Sequence, residues 1–474
     1  MTETLYGWHL SRGQNVRLDI QDGLISQISE TAAPAGQRSL LMPGLINAHD
    51  HARPLSPTSF GGAGKPLESW LLRLMVIPGA DPYLAAVAAF GRAARSGCVS
   101  IMAHYTRWQG GAPSVDEALA VARAARDIGV RVTFSPALRD QNPLIYGQSD
   151  KILDALPPAA RQEIESVISR PPIPAADQIA MINACAQAAE GPLFTVQYGL
   201  AGVQWCSDAL LRGVAEASAR SGRRVHMHLL ETQYQRAYAD IRCPSGVLPF
   251  LNDIGLLSPR LSLAHCVYAH PDELSLIARS GATIVTNASS NLHLRSGIAP
   301  MAKAFQCGCH VATGIDASAF DEDDDALREL RLGHFLHGGW GYDEIVSRAD
   351  YLSKTVAAGR NANGVIGDGT LEPGQPADLI VLDLDRLDRD SLMPVDPLDY
   401  LFARANAAYV RAVIVAGRKI VADGKVLGVD VDHVENQLRA HYRAALPQRQ
   451  AFMNAWPYLE PAVAAHYRDR LGCS

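Results

Sequence analysis

Much that would place a 474-residue chain in a familiar class is missing from this one. Basic residues are not in excess: 43 Lys and Arg stand against 49 Asp and Glu, for a net charge of −6. They are also dispersed, which argues against a nucleic-acid or anionic-membrane partner. No apolar run is long enough to span a bilayer. The opening "MTETLYGWHLSRGQ" lacks a basic stretch followed by an apolar one, so no signal peptide is expected. The eight cysteines are scattered, and the closest pair, Cys307 and Cys309, fits neither a zinc ribbon nor a redox CxxC. We expect them to be reduced, in a cytoplasmic protein. There is no GxGxxG fingerprint and no phosphate-binding loop. "SFGGAGKP" fails as one, with Ser59 in place of the first glycine and Pro66 where Ser or Thr must bind magnesium. Internal repeats and low-complexity segments are absent too. With 48% hydrophobic and 19% charged residues the chain is not a disordered one. Its length allows one large domain and a smaller one.

What is present falls into zones. Residues 1–44 carry short alternating runs, and "NVRLDIQDGLISQIS" reads as a hairpin turning at Asp22-Gly23. Residues 371–430 have the same character, in "ADLIVLDLD" and in "VRAVIVAGRKIVADGKVL", broken at Ala416-Gly417 and Asp423-Gly424. Between them, over residues 45–370, short β-rich runs alternate with Ala/Leu/Arg-rich helical stretches. The candidate strands are Leu41–Asn47, Cys98–Ala103, Arg131–Ser135, Phe194–Tyr198, Arg224–Leu229, Leu261–His265, Thr283–Thr286 and Val311–Ile315. The helix in "SVDEALAVARAARDIG" is expected to start on a Ser114 cap and stop at Gly129. Alternating βα units imply a parallel sheet, and eight of them a closed (β/α)8 TIM barrel rather than an open doubly wound sheet. "DEDDD", Asp321 to Asp325, is expected to open a helix. Residues 431–474 read as a helical extension. Its aromatics, in "FMNAWPYLEPAVAAHY", are expected either to cap the barrel or to meet a second subunit.

In a barrel, functional side chains gather at the C-terminal ends of the strands. Here the first strand runs out into His49-Asp50-His51, the fifth into "VHMHLLE", the sixth into His265 and the eighth into Asp316. Residues i and i+2 of a strand share a side, so His49 and His51 face the axis together and Asp50 faces away. Neutral imidazoles with one carboxylate suit zinc or iron. His49, His51, His228 and Asp316 therefore make a candidate metal shell, and a cation there would bring the pKa of water toward neutrality. His226 competes with His228 but lies two residues deeper. Glu231 stands just past the fifth strand, within reach of that water, and His265 could hydrogen-bond it or a developing oxyanion. Arg139 and Asp140 after the third strand are weaker candidates, since such a neighbouring pair often forms a structural ion pair.

These stretches resemble the amidohydrolase superfamily, in particular its cytosine-deaminase-like and triazine-hydrolase-like branch. The motifs are "PGLINAHDH", "HMHLLET", "LAHCVYAHPDEL", "SSNLHLRSGIAP", "VATGIDAS" and "LEPGQPADLIVLDLD", in that order, over residues 1 to about 430. The resemblance implies a small β-sandwich built from both chain ends. It implies metal ligation by His49, His51, His228 and Asp316, proton transfer by Glu231, and catalytic roles for His265 and Asp316. It implies one divalent metal per chain, zinc or else iron, and a homodimer. Two-metal relatives use a lysine on the fourth strand, and no lysine ends "FTVQYGLAG" here. The chain departs from the family around the pocket, with "GLAGVQWCSD", His293 and the run Ala317, Ser318, Ala319, Phe320.

The reaction implied is hydrolytic displacement at an sp2 carbon, releasing ammonia or an amine from an amino-substituted nitrogen heterocycle. Hydrolysis of an amide or cyclic amide at the same site is the alternative among enzymes. A non-catalytic scaffold is the alternative outside them. Candidate substrate-binding residues are His104, Gln204, Trp205, Asn291, His293 and Ser318. The expected partner is a small molecule.

Overall fold

A computed structural model describes residues 2–33, 36–169 and 171–470. Both chain ends build one sheet. Its strands are β1 (Thr2–His9), β2 (Gln14–Gln21), β3 (Leu24–Glu30) and β4 (Ser39–Pro43). The barrel strands are β5 (Leu45–Asp50), β6 (Cys98–Tyr105), β7 (Arg131–Leu138), β8 (Phe194–Val196), β9 (Tyr198–Leu200), β10 (Val225–Leu229), β11 (Leu261–His265), β12 (Thr283–Thr286) and β13 (His310–Thr313). A small hairpin, β14 (Gly339–Trp340) and β15 (Asp343–Glu344), follows. The chain then returns to the first sheet with β16 (Leu379–Asp383), β17 (Val410–Val415), β18 (Arg418–Ala422) and β19 (Lys425–Val426).

The barrel strands pair in parallel in the order β5-β6-β7-β9-β10-β11-β12-β13, with β8 also on β7. Closure comes from the residues just past β13. The Ile315 and Asp316 amides reach the His49 carbonyl at 3.1 and 2.8 Å, and Ile315 N–H also donates to Asn47 Oδ1 at 2.9 Å. Gly314 makes this approach possible: a Cβ there would lie 2.3 Å from Asn287 Oδ1 and 2.8 Å from His49 Cβ. Closing the barrel thus brings the metal candidates of the first and eighth strands side by side.

Two expected strands are each divided. Leu41–Asn47 breaks at Gly44, whose absent side chain leaves room for Val99; β4 goes to one sheet and β5 to the other. Phe194–Tyr198 breaks at Gln197, whose N–H donates to Phe134 O at 2.8 Å. Ser114 is the first helical residue and not a cap, since its helix starts after Pro113; Gly129 ends it at φ 90° as expected. In the acidic run, Asp325 caps the helix Ala326–His337 by accepting from the Leu327 and Arg328 amides.

The terminal sheet runs β19-β18-β17-β16-β4-β1-β2-β3. It is one sheet that folds over its own core: Val16, Leu18, Ile20 and Ile25 pack with Leu41, Leu379, Val381, Ala412 and Ile414. The alternate residues Leu40, Met42, Ile380, Leu382, Val413 and Val415 face the barrel core instead. Strand period two therefore lets one sheet serve two cores. Helices Val431–Ala445 and Gln450–Arg470 pack onto the same chain's barrel, burying Tyr442, Phe452, Leu459, Val463 and Tyr467. No helix among the described residues is long and apolar enough to cross a membrane.

Candidate active site

The strands that carry the chemistry end in backbone that non-glycine residues rarely adopt. Ala52 (φ 48°), Leu230 (51°), His265 (78°), Cys266 (48°) and Asp316 (61°) all lie in the left-handed region. Each turns the chain sharply where a functional side chain must face the axis. Asp50, pointing away from the axis, supports the first of these turns: its carboxylate accepts from the Ala52 amide at 2.6 Å and from Asn47 Nδ2 at 2.8 Å.

Hydrogen bonds fix which ring nitrogen of each histidine is free. His51 Nδ1 donates to His104 O and His228 Nδ1 to Ala201 O, both at 2.8 Å. His265 Nδ1 meets Asn291 Oδ1 at 2.8 Å and Asn287 Nδ2 at 3.2 Å. His49 Nδ1 meets His226 Nε2 at 2.7 Å, and His226 Nδ1 meets Ser262 Oγ at 2.7 Å. With Nδ1 of His49, His51 and His228 donating, the Nε2 lone pairs of these three rings turn inward, and His265 Nε2 faces the same space. His51 Nε2 lies 3.1 Å from Asp316 Oδ1 and 3.4 Å from His228 Nε2; His49 Nε2 lies 3.6 Å from Asp316 Oδ1. His49 Nε2 and His265 Nε2 are buried without a hydrogen-bond partner. Ligand atoms of His49, His51 and Asp316, of His49, His228 and His265, and of Glu231, His265 and Asp316 each fall within 4.8 Å of one another. Converging lone pairs with no proton between them, beside one carboxylate, are what a divalent cation requires.

Electrostatics agree. Burial first, and then mutual repulsion, lowers the pKa of His49, His104 and His228, and burial holds His226 near 3. Those four rings are therefore neutral. Burial alone would raise Asp316, but His51, His265 and the Ser290 hydroxyl at 2.7 Å hold it well below the usual range. Glu231 goes the other way: burial, Asp316 and Glu68 push it well above the usual carboxylate value, against hydrogen bonds that include Ser296 Oγ at 3.3 Å. Its Oε2 lies 3.6 Å from His265 Nε2. A carboxyl with raised proton affinity thus faces a ring that burial keeps neutral.

The pocket candidates separate. His104 is buried within β6, its ring 4.7 Å from that of His228, and neither of its nitrogens has a partner. Gln204 is buried with Nε2 unpartnered, and Trp205 stands edge-on to His228 at 6.5 Å. Asn291 is buried behind His265 as its Nδ1 partner. His293 is exposed and donates from Nδ1 to the carbonyl of buried Ser318 at 2.8 Å. The ion pair suggested for Arg139 and Asp140 does not form; Asp140 accepts from the Ser207 amide and hydroxyl at 2.7 and 2.6 Å.

Two residues at the site take roles that the sequence did not assign them. His226 does not compete for the metal; it lies one layer down and orients His49. His226→Phe removes that acceptor and is expected to weaken metal binding by about ten- to a hundredfold, read as metal retained during dialysis against a chelator. His226→Gln keeps an acceptor and should lose less. The second is Glu68, in the helix Leu67–Arg73, buried and accepting from Thr232 Oγ1 (2.6 Å) and Tyr146 Oη (3.2 Å). Burial pushes its carboxyl from the usual 4.5 up to about 7, and the two hydroxyls offset this only in part. The folded state then binds this proton more tightly than the unfolded chain, so stability falls as pH rises from about 4.5 to about 7 and stays low above. Glu68→Gln is expected to stabilise the fold by up to about 3 kcal/mol at pH 8 and not at all near pH 4, measured by unfolding across that range.

The amidohydrolase family model matches residues 40–420, most of the chain. The chain belongs to the amidohydrolase family. It is a hydrolase of C–N bonds on a metal-dependent fold. It is 28% identical over 436 residues to 5'-deoxyadenosine deaminase of Methanosarcina barkeri, covering 89% of this chain and 91% of that one. It is 27% identical over 454 residues to 8-oxoguanine deaminase of Pseudomonas aeruginosa, covering 90% and 93%. Its fold matches the crystal structure of an adenosine deaminase from Xanthomonas campestris with bound zinc. That match has a TM-score of 0.71 at 24% identity and covers 90% of this chain and 94% of the other.

Proposed function

We propose that this protein is a hydrolase that releases ammonia from an amino-substituted nitrogen heterocycle, with one divalent cation, zinc in preference to iron, held by His49, His51, His228 and Asp316. The observation that carries the reading is the set of inward lone pairs on His49, His51 and His228, placed against Asp316, with Glu231 and His265 beside it. The deaminase names of the two relatives and the zinc in the adenosine deaminase structure support it.

A cation held by these residues would supply the Lewis acidity that makes water a nucleophile near neutral pH. The protein's own groups do the rest. Glu231 takes a proton from the attacking water at Oε2 and returns it to the ring nitrogen or the leaving amine. His265 Nε2, its other nitrogen fixed by Asn291, faces Glu231 Oε2 at 3.6 Å and Asp316 Oδ2 at 3.9 Å, so it orients the proton in transit. Trp205, half-buried and edge-on to His228, offers aromatic surface for a flat ring. The unpartnered Nε2 of Gln204 and the free nitrogens of His104 are donors and acceptors for its substituents.

Elemental analysis of the purified protein, followed by an ammonia-release screen with aminopurines, aminopyrimidines, pterins and aminotriazines, tests this. About one zinc per chain with ammonia from one ring class is expected. One metal and a new carboxylate without ammonia would move the reading to amide hydrolysis. No metal even after reconstitution would overturn it.

A further inference from the structure

Arg53 lies two residues beyond His51, on the rim beside Asp316. Its backbone is fixed from both sides. Ala52 before it is held in its left-handed turn by Asp50, while Arg92 donates to the Arg53 carbonyl at 2.5 Å and the Pro54 carbonyl at 3.0 Å. Arg92 is in turn anchored to Asp324 at 3.0 Å. The Arg53 guanidinium lies over the Trp70 ring, 5.0 Å from its centroid. Trp70 packs with Leu67, Leu74, Leu294 and Ala317, so this platform borders the loops that carry Asp316 and His293.

What sets Arg53 apart is what it lacks. Arg360 has Asp378 at 3.1 Å, Arg92 has Asp324, and Arg236 has Glu273 at 2.8 Å, while Arg331 and Arg224, which lack a carboxylate, donate to carbonyl and amide oxygens instead. Arg53 forms no ion pair among the described residues, and its Nε is buried with no hydrogen-bond partner. Its environment includes the attraction of Asp316 and Asp50 and the repulsion of Arg107. A cation at the metal site would engage Asp316 and leave Arg53 less compensated still. A rigid, stacked, half-buried guanidinium without a counter-ion is complementary to a planar anion that can accept two parallel N–H bonds.

We propose that Arg53 binds an anionic substituent, a carboxylate or a phosphate monoester, carried by the heterocyclic substrate. The substrate class is then an acidic aminoheterocycle. This rests on the deaminase reading for the reaction but not for the binding.

The test uses the zinc-loaded full chain and its Arg53→Met and Arg53→Lys variants, each checked for zinc content and thermal unfolding. Ammonia release is compared for matched pairs: an aminopterin ring with and without a 6-carboxylate, an aminopyrimidine with and without a ring carboxylate, and adenosine against its 5'-monophosphate. The acidic member of at least one pair should have the higher kcat/KM by about tenfold or more. Arg53→Met should erase that preference through KM with zinc unchanged, and Arg53→Lys should keep part of it. A carboxylate pair or the phosphate pair alone responding identifies which anion is used. Separately, calorimetry measures binding of the oxo-heterocycle carboxylates and of inosine 5'-monophosphate, which need no turnover. Binding that depends on Arg53 without ammonia from any substrate would uphold the subsite and overturn the deaminase reading. Equal use of neutral and acidic members, or binding indifferent to Arg53→Met, would overturn the subsite.

Discussion

Glu231→Gln is expected to keep its metal and to lose about a hundred- to ten-thousandfold of its turnover. The amide matches the carboxylate in size and still accepts from Ser296 Oγ, so the local packing survives. It cannot take a proton from water. That loss is the usual worth of a general acid–base group. Nothing about it should disturb His49, His51 or His228, whose Nε2 atoms are fixed by partners on their own Nδ1. His228→Ala gives the opposite pattern, losing metal and turnover together. Ammonia release and metal content measured on the same preparations separate the two. Turnover within tenfold of the unmutated protein, with metal retained, would move proton transfer from Glu231 to His265. The strained backbone at Leu230 gives this variant a further meaning, because it shows that the chain turns there to place residue 231. A position that is sterically unfavourable for leucine persists where the surrounding structure holds a functional side chain in place.

The metal candidates were legible because two simple periodicities coincide. Strand period two puts His49 and His51 on one side, and the barrel gathers all strand ends on one rim. Both statements follow from local sequence once eight βα units are counted. The split of Leu41–Asn47 was not legible. The run is apolar on both sides of Gly44, since Leu41 faces the sandwich core while Met42, Leu45 and Ile46 face the barrel core, so hydrophobicity does not mark the change of sheet. Only Gly44 signals it, and its reason, the approach of Val99, lies in another strand. The role of His226 was half legible: its face was known, but its depth in the barrel decides between ligand and orienter. Glu68 and Arg53 were read past. Glu68 meets Thr232 across 164 residues of sequence, through a helix that folds over the barrel mouth. Arg53 became informative only when it proved to form no ion pair with the carboxylates around it. A charge on a loop means little in sequence; a buried charge without a partner means a good deal.

Asp378→Ala is expected to destabilise the fold by about 3–5 kcal/mol while leaving turnover per metal-loaded molecule unchanged. Asp378 is fully buried and joins the two sheets. It accepts from Arg360 of the barrel helix Arg348–Asn363 at 3.1 Å, from Arg131 at the start of β7 at 3.2 Å, and from the Ala416 amide in the β17–β18 turn at 2.7 Å. Removing the carboxylate strands the buried Arg360 charge and an amide at once. Retaining the pair is not itself a large source of stability, because both charges had to leave water. Breaking one side of it is what costs. Arg360→Met should therefore lose less than Asp378→Ala, since Asp378 keeps Arg131 and the Ala416 amide. Urea unfolding of the two variants measures the difference, and a loss below about 1 kcal/mol for Asp378→Ala would show that water or a neighbouring group replaces the carboxylate. The position of the cluster decides the activity half of the expectation. Arg131 opens β7, at the opposite end of the barrel from His49 and Asp316, and in this architecture that end carries stability and the other carries chemistry. Glu231→Gln and Asp378→Ala should therefore fail in opposite assays. A loss of turnover in Asp378→Ala beyond its loss of folded protein would show that strain passes along the barrel strands from one rim to the other.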